Sequence, residues 1–94
     1  MDDDKLKEIM AIGAEAETLL NHPVYKRVTM ELRAEFFEAT GKTGLKDVET
    51  REEIYRMNKA LTMLMARIER KVRDGETAKK TLLQRIKEKV RRVK

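Results

Sequence analysis

The sequence predicts an all-α protein of about four helices, with a central antiparallel helical hairpin and a basic C-terminal helix, assembling as an oligomer. Three observations carry this. Leu, Met, Ala, Glu, Lys and Arg dominate a 94-residue chain in which charged residues are 41% and aromatics 4%, a mixture of strong helix formers. Apolar residues recur at spacings of three and four, the helical period. The stretches that break this pattern are few, as are the helix breakers, with one proline and four glycines in all.

The first helix is expected from about Asp3 to Leu20. Leu6, Ile9, Met10, Gly13, Ala16 and Leu20 form its stripe, and Asp2, Asp3 and Asp4 stand at the N-terminus, where the helix dipole favours negative charge. Asn21-His22-Pro23 interrupts it. Proline fits the first position of a helix, so a second helix starts near Pro23 and runs to about Ala39, with Tyr25, Val28, Leu32, Phe36 and Ala39 on its stripe and Phe37 beside it. His22 then sits at a helix start, where it contributes to capping. Thr40-Gly41-Lys42-Thr43-Gly44 reads as the clear loop, extending toward Val48.

Thr50-Arg51-Glu52-Glu53 has the pattern of a capping box and starts a third helix running to about Arg73. Ile54, Asn58, Leu61, Met65, Ile68 and Val72 follow at heptad spacing as an oligomer seam. Asn58 is its one polar member, and a polar seam residue can fix register. Asp74-Gly75 resembles a helix end, glycine being common just past a C-terminus. The fourth helix would then fill residues 76–94, with Leu83, Ile86, Val90 and Val93 as a narrow stripe and Leu82 beside it. The chain is thus one small domain, residues 1–75 as helical core and 76–94 as basic helix. Helices two and three, joined by the long loop, are expected to pair as the hairpin.

A chain this short buries a thin core and commonly needs reinforcement. There is no cysteine and one histidine, which excludes disulfides and a thiolate or imidazole-cluster metal site. Self-association is the remaining route. No cofactor is expected. The acidic start is unlike a secretory leader, and no apolar run approaches the roughly 20 residues of a membrane span. A soluble, intracellular protein is therefore expected.

Charge is strongly segregated. Residues 76–94 hold eight basic groups (Lys79, Lys80, Arg85, Lys87, Lys89, Arg91, Arg92 and Lys94) against Glu76 and Glu88, a net of +6, while the rest of the chain nets −1 and its first twenty residues −4. A basic amphipathic helix suits phosphates, an anionic membrane or an acidic protein groove, or simply solubilises a chain end. The membrane is the weakest fit, because the stripe lacks aromatic anchors. Nucleic-acid binding would be electrostatic, since no aromatic is interleaved to stack bases and Gln84 is the main candidate base reader.

Catalytic motifs are absent. Gly41-Lys42-Thr43 resembles the end of a phosphate-binding loop, but Phe36 stands where that motif needs glycine and no strand precedes it. With no serine or cysteine in the chain, His22 has neither nucleophile to activate. Neighbouring carboxylates such as Glu52 and Glu53 point apart on a helix and serve its dipole. No small-molecule substrate is indicated.

Leu19-Leu20-Asn21-His22-Pro23-Val24-Tyr25-Lys26, Glu35-Phe36-Phe37-Glu38-Ala39, Arg51-Glu52-Glu53-Ile54-Tyr55, Ala60-Leu61 and Asp74-Gly75 occur in that order. Over residues 19–77 the chain resembles a group of small helical proteins of tailed bacteriophages and prophages, encoded among head-assembly and DNA-packaging genes. The resemblance implies a protein made in the bacterial cytoplasm, or virion-associated, that acts in assembly or packaging, and it transfers no catalytic residues. Three functions follow as expectations. The first is a non-catalytic assembly or packaging accessory whose hairpin oligomerises and whose basic helix binds an acidic phage structural or packaging protein. The second is a DNA-binding small terminase-like subunit or regulator. The third is an inhibitor of a host enzyme, its acidic start imitating DNA.

Overall fold

A computed structural model of the chain describes residues 1–44 and 46–93. These residues form three α-helices, α1 (Asp3–Asn21), α2 (Pro23–Lys42) and α3 (Val48–Val93), and no strand. The all-α class stands; the helix count is three rather than four. The predicted third and fourth helices are one 46-residue helix that runs unbroken through Asp74-Gly75.

The local chemistry of each terminus accounts for most of the boundaries. The Asp2 carboxylate accepts the Lys5 N–H at 2.7 Å and so caps α1. At the α1–α2 junction His22 is extended, with φ −69° and ψ 128°, as a residue preceding proline prefers. Its Nδ1 accepts the Val24 N–H at 3.1 Å, so the capping role read from sequence is observed.

α2 continues past Ala39 through Gly41 to Lys42, making the loop shorter than predicted. It ends at Thr43, whose N–H and hydroxyl both reach the Thr40 carbonyl, at 3.3 and 2.7 Å. No glycine adopts a positive φ, so Gly41 fits the helix with no strain. α3 starts at Val48, which puts Thr50 inside its first turn instead of at the cap; the Asp47 carbonyl accepts the Arg51 N–H at 3.3 Å.

The chain divides into two compact units. One comprises Met1–Leu20 with Ile68–Lys94, the other Asn21–Arg67. In the second, Arg33 Nη2 donates to Thr62 Oγ1 at 3.3 Å and lies 3.5 Å from the Met65 sulfur, while Thr40 and Arg51 line a common groove. Rising numbers on α2 meet falling numbers on α3, so the two form the expected antiparallel hairpin. Ile54 is its buried apolar anchor, and Thr29 is buried with its hydroxyl donating to the Tyr25 and Lys26 carbonyls.

In the first unit α1 runs antiparallel to the second part of α3, pairing Asp3 with Arg85 and Gly13 with Gly75. Leu6 and Ala78 are its buried apolar side chains. A Cβ on Gly13 would lie 2.8 Å from the Gly75 Cα and 2.9 Å from the Lys71 carbonyl oxygen. The two glycines let the helix backbones touch, which explains why Gly75 does not end α3. A glycine inside a helix costs about 1 kcal/mol relative to alanine, and close packing of α1 offsets it.

Candidate functional site: a basic helical segment with an open apolar stripe

The largest net positive charge in the chain lies on the last five turns of α3. Helical geometry, at about 100° per residue, sorts these side chains into rows. Leu83, Ile86, Val90 and Val93 form one apolar stripe. Lys80, Lys87 and Arg91 flank it on one side and Arg85, Lys89 and Arg92 on the other, with Gln84 and Glu88 opposite. The stripe is open, its members 48% to 88% exposed. Leu82, turned toward the α1 side, is half-buried. Arg91 and Arg92 also occupy the final turn, where positive charge complements the helix dipole.

Not all the basic residues are equally available. Arg85 is committed within the unit: Nη1 donates to Asp3 Oδ1 at 2.6 Å and Nη2 to the Met1 carbonyl at 2.7 Å. That hydrogen bond holds the Asp3 carboxyl below the usual carboxylate range, aided by the charges of Arg85, Lys89 and Lys7 and opposed by partial desolvation. The acidic start and basic end of the sequence thus meet at this point. Lys79, Lys80, Lys87, Lys89, Arg91 and Arg92 are exposed. Lys94 lies outside the described residues.

The predicted seam is placed differently from the basic residues. Ile54 is buried, and Asn58, Leu61, Met65, Ile68 and Val72 are half-buried. The first four belong to the α2–α3 hairpin and the last two to the α1–α3 unit, so the chain's own helices cover much of this stripe. Asn58 keeps a distinctive position: its Oδ1 is shut off from water without a hydrogen-bond partner, a state costing about 1–3 kcal/mol.

Sequence reasoning did not single out a second feature, a groove of about 340 Å³ on the hairpin. Phe36, Phe37 and Tyr55, three of the chain's four aromatics, line it together with Ile54 and Asn58. The signal for it was the Phe36-Phe37 pair, of which a single helix face can bury only one. Among the described residues, no group of three or more His, Asp or Glu side chains is placed to hold a metal ion, and no helix is long and apolar enough to cross a membrane.

Comparison of the chain with known protein families, with curated proteins and with solved structures finds no match.

Proposed function

We propose that this chain is a non-catalytic binding protein whose basic C-terminal segment docks into an acidic, apolar-floored groove of a partner protein, as an assembly or packaging accessory of a tailed phage would. The supporting observation is the open stripe of Leu83, Ile86, Val90 and Val93 between two rows of cations. A helix that only tracks phosphates has no use for an exposed apolar stripe, whereas helix-in-groove recognition uses i, i+3 and i+7 anchors. The flanking Lys and Arg rows then meet acidic rims. The phage setting is what the sequence resemblance over residues 19–77 implies.

DNA binding is the second reading, favoured by the same cations. The two separate cleanly. Four free cations of the last turns (Lys87, Lys89, Arg91, Arg92) on phosphates would lose about 150-fold in affinity between 50 and 200 mM salt, and Ile86→Ser with Val90→Ser would leave that binding unchanged. Docking on a protein groove predicts the reverse. An unrelated duplex then binds only at low salt, and one phage structural protein co-purifies with the chain at physiological salt. The Ile86→Ser/Val90→Ser variant loses that partner. Duplex binding that persists at physiological salt and ignores the stripe variant would replace the first reading with the second.

A further inference from the structure

We infer that the aromatic groove of the α2–α3 hairpin is the docking site for an acidic amphipathic helix of a partner protein. The groove belongs wholly to the hairpin unit, so the fate of the basic segment does not decide this. Its lining combines Phe36, Phe37 and Tyr55 with two guanidinium groups, Arg33 and Arg51, and contains, among the described residues, no carboxylate. Phe37 is 84% and Tyr55 66% exposed beside a floor that holds the buried Ile54. Large exposed aromatics next to a preformed groove are common anchors of an interface.

Charge names the occupant. Arg33 is exposed, and its bonds go to neutral groups, the Thr62 hydroxyl and the Met65 sulfur, both through Nη2. A guanidinium has five N–H donors, so Nε and Nη1 remain to take a carboxylate in a charge-assisted bond. Arg51 is half-buried and already engaged within the chain, and Arg33 therefore carries the recognition. Spacing gives the occupant its form. Arg33 and Phe37 are one turn apart on α2, along a groove that runs between antiparallel helices. A third helix laid there presents side chains at the same interval, with those three or four positions apart about 5–6 Å from each other. One pair suffices: a glutamate or aspartate on Arg33 and, a turn away, a large apolar side chain on Ile54 between Phe37 and Tyr55. This is helix-in-groove recognition.

Aromatics beside arginine also suit the bases of a single strand. A strand, however, needs a cationic track that continues past the site for its phosphates. Residues 21–67 hold seven carboxylates against nine basic groups. Of those cations Arg27, Lys42 and Arg56 are already paired with Glu31, Glu38 and Glu52. A single carboxylate on a peptide needs no such track.

The test is an NMR titration of the full chain with a synthetic alanine-rich helix of about 20 residues, bearing a glutamate and, four positions on, a phenylalanine. A twin peptide carries glutamine for the glutamate. The glutamate peptide should saturably shift the Arg33 Nε–H and the Phe37 and Tyr55 ring signals. Arg33→Gln should weaken that peptide about tenfold or more and leave the glutamine twin unchanged, a coupling that a merely structural role of Arg33 would not produce. Phe37→Asp should weaken both peptides. Met63→Asp, exposed on the face of α3 turned away from the groove, should weaken neither. Helical dichroism should be retained throughout, because none of the three side chains is buried. Absence of shifts at the groove, or equal loss of both peptides in Arg33→Gln, overturns the inference. So does an oligothymidylate that moves the same signals at lower concentration than the peptide, which would give the groove to a nucleic-acid strand. Groove signals that shift on dilution of the chain alone overturn it in favour of a second copy.

Discussion

Gly13 and Gly75 show how a single absent carbon shapes the α1–α3 unit. Converting a helical glycine to alanine gains about 1 kcal/mol of helix propensity. At Gly13 the added Cβ would press on the Gly75 Cα at 2.8 Å and the Lys71 carbonyl at 2.9 Å. Both are backbone atoms that cannot swing aside, and overpacking of that kind costs about 1–3 kcal/mol. The steric loss wins, so Gly13→Ala should lower the thermal midpoint. Gly41 has nothing within 4 Å of its Cβ direction, so Gly41→Ala should raise the midpoint by the few degrees that a fraction of 1 kcal/mol confers. Opposite signs in a pair of dichroism melts are the expected result; a gain at Gly13 would mean the helices do not touch there. The sequence held part of this information. Gly13 lies on the apolar stripe of α1, and Gly75 follows Ile68 and Val72 at the next seam spacing. Read locally, however, Asp74-Gly75 looks like a helix end, because propensity carries no information about what packs on the other side.

At the scale of elements, boundaries set by bonded chemistry were legible and those set by packing were not. Pro23 fixes the start of α2, since it lacks an N–H and drives His22 out of helical geometry. By contrast, Gly41 and Gly75 sit comfortably in helices where composition suggested breaks. The segregation of charge was also plain in the sequence, but only the antiparallel pairing of α1 with α3 shows that Asp3 meets Arg85. This pairing has a pH signature. Because the Asp3 carboxyl in the folded protein titrates below its ordinary value of 3.8, its contribution to stability is present above that value. It is lost as pH falls through the lowered one. The wild type should therefore melt above Asp3→Asn at neutral pH, and the two should converge in strong acid. High salt should shrink the difference at neutral pH as well, because both partners are partly exposed. A difference independent of pH would assign the effect of the substitution to helix-start chemistry instead of the ion pair.

For the molecule as a whole, the stripes showed which faces of the helices are apolar but not which chain covers them. The seam from Ile54 to Val72 is largely covered by α2 and α1 of the same chain, and the apolar surface left open on the hairpin includes the aromatic groove beside it. That is a matter of arc width: an apolar arc broad enough to take one helix can still leave Phe37 and Tyr55 in water on its flank. If a second copy closed the groove, folding and association would be coupled, and stability would depend on protein concentration. A hundredfold rise in concentration would then add about 2.7 kcal/mol per dimer, or half that per chain, which corresponds to about 5–10 °C in midpoint for a domain of this size. With a partner's acidic helix as the occupant, the groove adds no such dependence. Melts followed by helical dichroism across that range should give Phe37→Asp the same slope of midpoint with concentration as the wild type. A rise in the wild type that Phe37→Asp abolishes would give the groove to a second copy instead.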